Sequence, residues 1–301
     1  MNLIGKRKIW YAISLVAIVP GLISLMLFGL KLGIDFSSGQ LSVVKGTVVV
    51  GQVSAAAAKI GLKDVQIVPN GSGQTQIRFT DPAPQASREA DHQKLKAALS
   101  AQGLQELSFD SIGPTVSQDI ARSALISLLI ASIAIVLYIA FAFRNVPAPA
   151  SSWSFGFMAI VALLHDALFV LGIFSLLGHF FQVEIDALFV TAILTVIGFS
   201  VHDTIVVFDR IRENLRREKG GFEAIVNHSI LETLARSINT SLTVILTLLA
   251  LLLFGGQSIH YFVLALLIGI ASGTYSSIFT ASPLLVTWND YRQKQLAKTV
   301  R

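Results

Sequence analysis

Two carboxylates stand in sequence that is otherwise apolar enough for lipid. Asp203 lies in IGFSVHDTIVVFDRIRENLRRE (197–218), where an apolar run turns into a basic helix, and Asp166 lies in LLHDALFVLG. A charge near the centre of a bilayer costs roughly 2.5–3.5 kcal/mol on insertion scales. Each carboxylate is therefore expected to face protein. For Asp203 the candidate partner is Arg236, which enters the next apolar segment from the same end. From Arg236, the residues Asn239, Thr240, Thr243 and Thr247 follow at i+3, i+4, i+7 and i+11, one polar stripe on a Leu-rich helix. A stripe facing Asp203 would satisfy the carboxylate and admit water.

Two functions fit this pattern. In the first, Asp203 and Arg236 form a buried structural ion pair. In the second, Asp203 exchanges a proton while Arg236 changes partner, because desolvation and a neighbouring guanidinium act on a carboxylate's proton affinity in opposite directions. The second needs no nucleophile, so no enzymatic activity is expected. Membrane potential alone supplies about 2.3 kcal/mol per charge per 100 mV.

His165 and His202 each precede one of these acids, which raises the question of a metal. Adjacent helical residues point about 100° apart, whereas His at i and i+4 share a face. No metal site is expected, and nothing in the chain asks for another cofactor. Asp166, His165 and His202 are read as packing or helix–helix hydrogen-bonding groups, with a direct proton-relay role for Asp166 as the alternative.

These residues need a membrane-spanning frame. The chain is 53% hydrophobic and 14% charged, with mean hydropathy +0.68, against about 25% charged for a soluble domain. There is no cysteine, which excludes disulfides and thiolate sites. The net charge of +5 resides beside the apolar segments rather than in a groove, so nucleic acid is not an expected partner. Six segments reach the roughly 20 residues a bilayer requires: about 9–29, 121–143, 152–177, 187–208, 234–254 and 261–287. The first is too long for a signal-peptide core and lacks a small-x-small cleavage site, so an uncleaved anchor is expected. Lys6, Arg7, Lys8, Arg144, Arg210, Arg212, Arg216, Arg217, Lys219, Arg292, Lys294, Lys298 and Arg301 fall at alternate ends, while GHFFQVEID and GGQSIH carry no Lys or Arg. The positive-inside rule then puts both termini in the cytoplasm.

Residues 31–120, between spans 1 and 2, are soluble in character and expected on the far side of the membrane. QLSVVKGTVVV reads as a strand and GQVSAAAAKIGL as a helix. DVQIVP and QTQIRFT read as a hairpin about NGSG, SREADHQKLKAALSAQG as a helix stopping at Gly103, and LQELSFDSI as a strand. The order β-α-β-β-α-β predicts a small α+β ferredoxin-like domain. The expected organisation is residues 1–30 as tail and first span, 31–120 as this domain, 121–288 as spans 2–6, and 289–301 as a basic tail. Within it, residues about 209–232 form a basic amphipathic connector that lies at the headgroups; docking a cytoplasmic partner is the lesser alternative. In span 6, Gly269, Ser272, Gly273, Ser276 and Thr280 share one face. Small residues there predict close helix packing, with a sliding surface as the alternative.

LGIDFSSGQ, SIGPTVSQDIARSA, LLHDAL, IGFSVHDTIVVFDRIRENLR and TLARSINTSLT, spread over residues 33 to 243, together resemble the SecD/SecF family of protein-export membrane subunits. Ser38 stands where that family usually has Gly, and His202 where Asn is common. The resemblance implies a relative of the resistance-nodulation-division transporters, with Asp203 as the proton-responsive carboxylate and Arg236 as its arginine. It implies a SecD partner in the bacterial inner membrane, the SecYEG channel with YajC and YidC, an exported polypeptide as cargo, and H⁺ or Na⁺ as coupling ion. Six spans with one soluble insertion also resemble half of a twelve-span transporter with an internal repeat. A small-molecule efflux transporter of the same superfamily, or a purely structural scaffold of the translocon, are the alternatives; the single compact insertion argues against efflux.

Overall fold

The structure, a computed structural model, describes residues 1–46, 51, 53–54, 63–70, 73–80, 85–101, 103–144 and 146–299. Among the described residues, six helices are long and apolar enough to cross a membrane: Ile4–Phe28, Pro114–Ala142, Ser152–Phe181, Ala187–Arg217, Phe222–Phe254 and His260–Ala297. In chain order the elements are α1 (Arg7–Phe28), a single turn α2 (Ile34–Ser37), β1 (Gly39–Lys45), β2 (Lys63–Asn70), β3 (Gln74–Thr80), α3 (Gln85–Ser100) and β4 (Gln105–Ile112). They continue as α4 (Pro114–Ala142), α5 (Ser152–Phe181), α6 (Ala187–Arg217), α7 (Phe222–Phe254), α8 (His260–Ser276), a π-helical turn (Ser277–Ala281) and α9 (Ser282–Thr299). The chain divides into two compact units, one of Met1–Lys31 with Ile126–Arg301 and the other of Leu32–Leu125.

The smaller unit is built on a four-stranded sheet of order β2-β3-β1-β4 in which every neighbouring pair is antiparallel. The β2–β3 hairpin closes with Asn70 opposite Gln74, beside Gly73 at φ +72°, a conformation glycine adopts without strain. Val44, Ile77 and Phe79 from the sheet meet Leu95 and Leu99 of α3 in one buried cluster. α3 stops where the sequence places its stop, with Gly103 at φ +74° and the Leu104 amide bonded to the Leu99 carbonyl. The helix expected over GQVSAAAAKIGL lies mostly outside the described residues. Ser38 sits at φ +58°, ψ 166°, a region that L side chains strongly disfavour.

In the larger unit the packing follows the small residues. α1 and α5 cross where a Cβ on either Gly21 or Gly172 would lie 2.7 Å from the other's Cα. Ser24 and Ser175 share a 2.8 Å hydrogen bond one turn further on. α6 and α8 approach through Gly269, whose absent Cβ would lie 2.2 Å from Val196 Cγ2, and Gly273, which faces Ser200. That face of span 6 is buried from Gly269 to Thr280, as close packing requires.

Residues 209–232, expected as a basic amphipathic connector, lie on two helices: α6 continues to Arg217, α7 begins at Phe222, and only 218–221 break them. The extension is held by protein contacts, with the Arg210 fork donating to both Glu232 oxygens at 2.6 and 2.7 Å. Asn214, buried between the two helices, donates to Ser229 at 3.0 Å and to Glu232 at 2.7 Å.

Candidate functional site

Helix periodicity sets which side chains meet in the bundle. Residues three and four apart share a face, so Ser200 and Asp203 of α6 are neighbours, as are Ser272 and Ser276 of α8. Both carboxylates are buried, Asp166 at 1% and Asp203 at 2% exposure.

Asp166 of α5 lies at the junction with α6 and α8. Its Oδ2 accepts from Ser200 at 2.5 Å and from Ser276 at 2.6 Å. Its Oδ1 accepts from Ser272 at 2.7 Å and lies 3.0 Å from His165 Nδ1. Four donors on two oxygens satisfy a carboxylate in a medium where each unmet polar group is costly. Three transmembrane helices are tied to one side chain.

Asp203 is served differently. Its Oδ2 accepts from Ser241 of α7 at 3.2 Å and from Thr274 of α8 at 3.4 Å. Thr274 has one hydroxyl hydrogen and two shorter alternatives, Ser241 Oγ at 2.6 Å and the Ile270 carbonyl at 3.0 Å. The Asp203 shell is thus sparse and rearrangeable beside the filled shell of Asp166. On α6, one helical turn separates Asp203 from Ser200, the donor to Asp166, and α8 supplies hydroxyls to both acids.

The expected Asp203–Arg236 ion pair is not formed. Arg236 is exposed, and among the described residues no salt bridge involves it. The whole stripe is turned outward: Asn239, Thr240, Thr243 and Thr247 are exposed, whereas Thr233, Ser237 and Ser241 face the core. Thr243 and Thr247 satisfy their hydroxyls on the Thr240 and Thr243 carbonyls, at 2.8 and 3.0 Å, which lowers the cost of leaving them on the outer face. His202 is exposed as well. The structure therefore brings together Asp166, His165 and Asp203 with the serines and Thr274, and leaves Arg236, Asn239, Thr240 and His202 on the outside of this bundle. Sequence reasoning missed Ser200, Ser241 and Thr274. Their signal was spacing: Ser200 is three residues before Asp203, and Ser237 and Ser241 form an i, i+4 pair one residue off the threonine stripe. Among the described residues no group of three or more His, Asp or Glu gathers to hold a metal.

Fold and site together define a polytopic α-helical membrane protein whose core carries two buried carboxylates, each held by hydroxyl groups. Residues 92–291 match the family described as Protein export membrane protein SecD/SecF, C-terminal. The chain is 50% identical to the protein translocase subunit SecF of Thermobaculum terrenum, over 96% of this chain and 94% of that one. It is 35% identical to the protein translocase subunit SecDF of Bacillus subtilis, covering 97% of this chain and 38% of that one. Its fold is similar to the crystal structure of SecDF from Thermus thermophilus, with a TM-score of 0.82 at 30% identity, over 96% of this chain and 39% of that one. The chain belongs to the SecD/SecF family.

Proposed function

We propose that this chain is an accessory membrane subunit of the bacterial Sec protein translocase. With a SecD partner it uses the proton motive force to promote late stages of protein export. The observation that carries the proposal is the pair of unequal carboxylate sites inside a bilayer-spanning bundle. Asp203, with its sparse and rearrangeable shell on α7 and α8, is the group that exchanges the coupling ion. Asp166, with four donors, holds α5, α6 and α8 in register. The coupling ion is H⁺ in this account, and Na⁺ is the variant that the ion arms of the test separate.

The outward stripe on α7 supports the partner. Arg236, Asn239 and Thr240 on an exposed transmembrane face are costly against lipid, and a second six-helix half would cover them. Two relatives are named SecDF, and this chain matches 38% and 39% of their lengths, as expected if the remainder corresponds to the SecD half. The channel SecYEG, with YajC and YidC, and the exported polypeptide complete the proposed assembly. The strand order β2-β3-β1-β4 with antiparallel neighbours supports a ferredoxin-like domain between spans 1 and 2, placed outside the cytoplasm of the inner membrane with both termini inside.

The test is export into reconstituted vesicles carrying this chain, SecD and the channel, with and without a proton or sodium gradient. Asp203→Asn is expected to remove the gradient-dependent component and leave the gradient-independent component. Undiminished gradient stimulation in that variant would favour a scaffold.

A further inference from the structure

His165 stands between two hydrogen-bonding systems. Its Nδ1 lies 3.0 Å from Asp166 Oδ1, and its Nε2 lies 3.2 Å from Ser14 Oγ on α1. With the ring neutral, Nδ1–H donates to the carboxylate and Nε2 accepts from the Ser14 hydroxyl. With the ring protonated, both nitrogens donate, and Ser14 must turn its hydrogen elsewhere. It has two places to send it, Thr280 Oγ1 at 3.1 Å and the Tyr275 hydroxyl at 3.5 Å. Tyr275 in turn donates to the Trp10 carbonyl at 2.8 Å, three residues from Arg7 at the start of α1. Thr280 belongs to the π-helical turn Ser277–Ala281, a backbone irregularity that recurs at functional positions.

We propose that His165 is a second proton-carrying group of the membrane core, with Asp166 as its fixed counter-ion and Ser14, Tyr275 and Thr280 as its proton path toward the N-terminal end of α1. Each step conserves protons. Nε2 takes the Ser14 hydroxyl hydrogen, and Ser14 takes one from the neighbouring hydroxyl, which is resupplied from water at the end of the path. Discharge runs in reverse. Nδ1–H stays on Asp166 throughout, so the three serine bonds to that carboxylate persist in both states.

The titratable groups around the ring are few. On its own helix there is Asp166. α8 contributes Tyr275, whose ring is stacked 6.4 Å away, and α1 contributes only uncharged Ser14 among the bonded groups. α6 carries Asp203, bonded instead to Ser241 and Thr274. The side chain of His165 is 10% exposed, so these contacts, rather than bulk water, surround the ring.

This inference is independent of Asp203 and is tested on the full chain in lipid nanodiscs. Histidine ¹⁵N NMR reports the charge and tautomer of each of the six histidines, and His165→Gln identifies the signal. The expected result is reversible conversion of His165 between an Nδ1–H imidazole and an imidazolium within the pH window in which the chain stays folded. Asp166→Asn should remove the imidazolium from that window. Ser14→Ala, which leaves the Asp166 shell intact, should slow the exchange between the two forms at least tenfold. A ring that keeps one charge state across the window, or one indifferent to both substitutions, overturns the proposal. Repeating the experiment in Asp203→Asn separates the two sites: there gradient-dependent export is lost while His165 still changes charge.

Discussion

Gly172→Ala tests whether the α1–α5 crossing is as close as the structure has it. The new methyl would sit 2.7 Å from Gly21 Cα, where unstrained carbon contacts lie at about 3.5–4.0 Å. α1 must therefore withdraw by about 1 Å at the crossing, since neither helix can yield within its hydrogen-bonded backbone. The Ser24–Ser175 hydrogen bond, 2.8 Å long and one turn away, would stretch toward about 3.8 Å and be lost. Interhelical hydrogen bonds in membranes contribute about 0.6–1.7 kcal/mol, and overpacking costs about 1–3 kcal/mol. The sum is about 2–5 kcal/mol of stability. Equilibrium unfolding in mixed micelles measures it, with Ser175→Ala as the control for the hydrogen bond alone at about 0.6–1.7 kcal/mol. Because the chain has no cysteine, a Ser24→Cys, Ser175→Cys double variant gives an independent readout, and its oxidative cross-linking should fall when Gly172→Ala is added. A Gly172→Ala change costing under about 0.5 kcal/mol, with cross-linking unaltered, would refute the close crossing.

Gly269→Leu should be more disruptive still, since its Cβ would lie 2.2 Å from Val196 Cγ2, and Val196→Ala should recover part of the loss in the same unfolding assay. Arg236→Ala should leave the unfolding of the isolated chain within about 0.5 kcal/mol, because the residue is exposed, yet reduce gradient-dependent export and SecD co-purification. Asn214→Ala should cost about 1–3 kcal/mol, as it leaves Ser229 and Glu232 without their shared donor. Ser38→Gly should stabilise the smaller unit by about 1 kcal/mol, measured by thermal unfolding, by relieving the positive φ.

The acids were legible because a carboxylate in apolar sequence declares a buried partner whatever the fold. The partner was not. On α7, the threonine stripe and the Ser237–Ser241 pair differ by one residue, about 100° of helix, and the pattern alone does not say which face looks inward. The presence of Arg236 favoured the threonines as the inner face. The structure instead lets Thr243 and Thr247 bond their own helix and turns Ser241 toward Asp203. In span 6 the register of small residues is readable from spacing and predicts packing. That Ser272 and Ser276 also serve Asp166 depends on contacts 106 and 110 residues away in sequence, which local periodicity does not encode. Hydropathy marks the apolar stretches, whereas α6 and α7 extend past them, where Arg210, Asn214 and Glu232 link the two helices. In the smaller unit, turn chemistry carried most of the information: glycines at positive φ close the hairpin at Gly73 and end α3 at Gly103.

The account turns on Asp203 changing protonation state inside the bundle. pH-difference infrared spectroscopy on the chain with its SecD partner in bilayers, compared with Asp203→Asn, measures that state directly. The account predicts a protonated-carboxyl stretching band that appears and vanishes reversibly with pH, is missing in Asp203→Asn, and shifts in Ser241→Ala, which removes a donor to Oδ2. A spectrum in which no such band responds to pH, or in which the responding band survives Asp203→Asn, would contradict it.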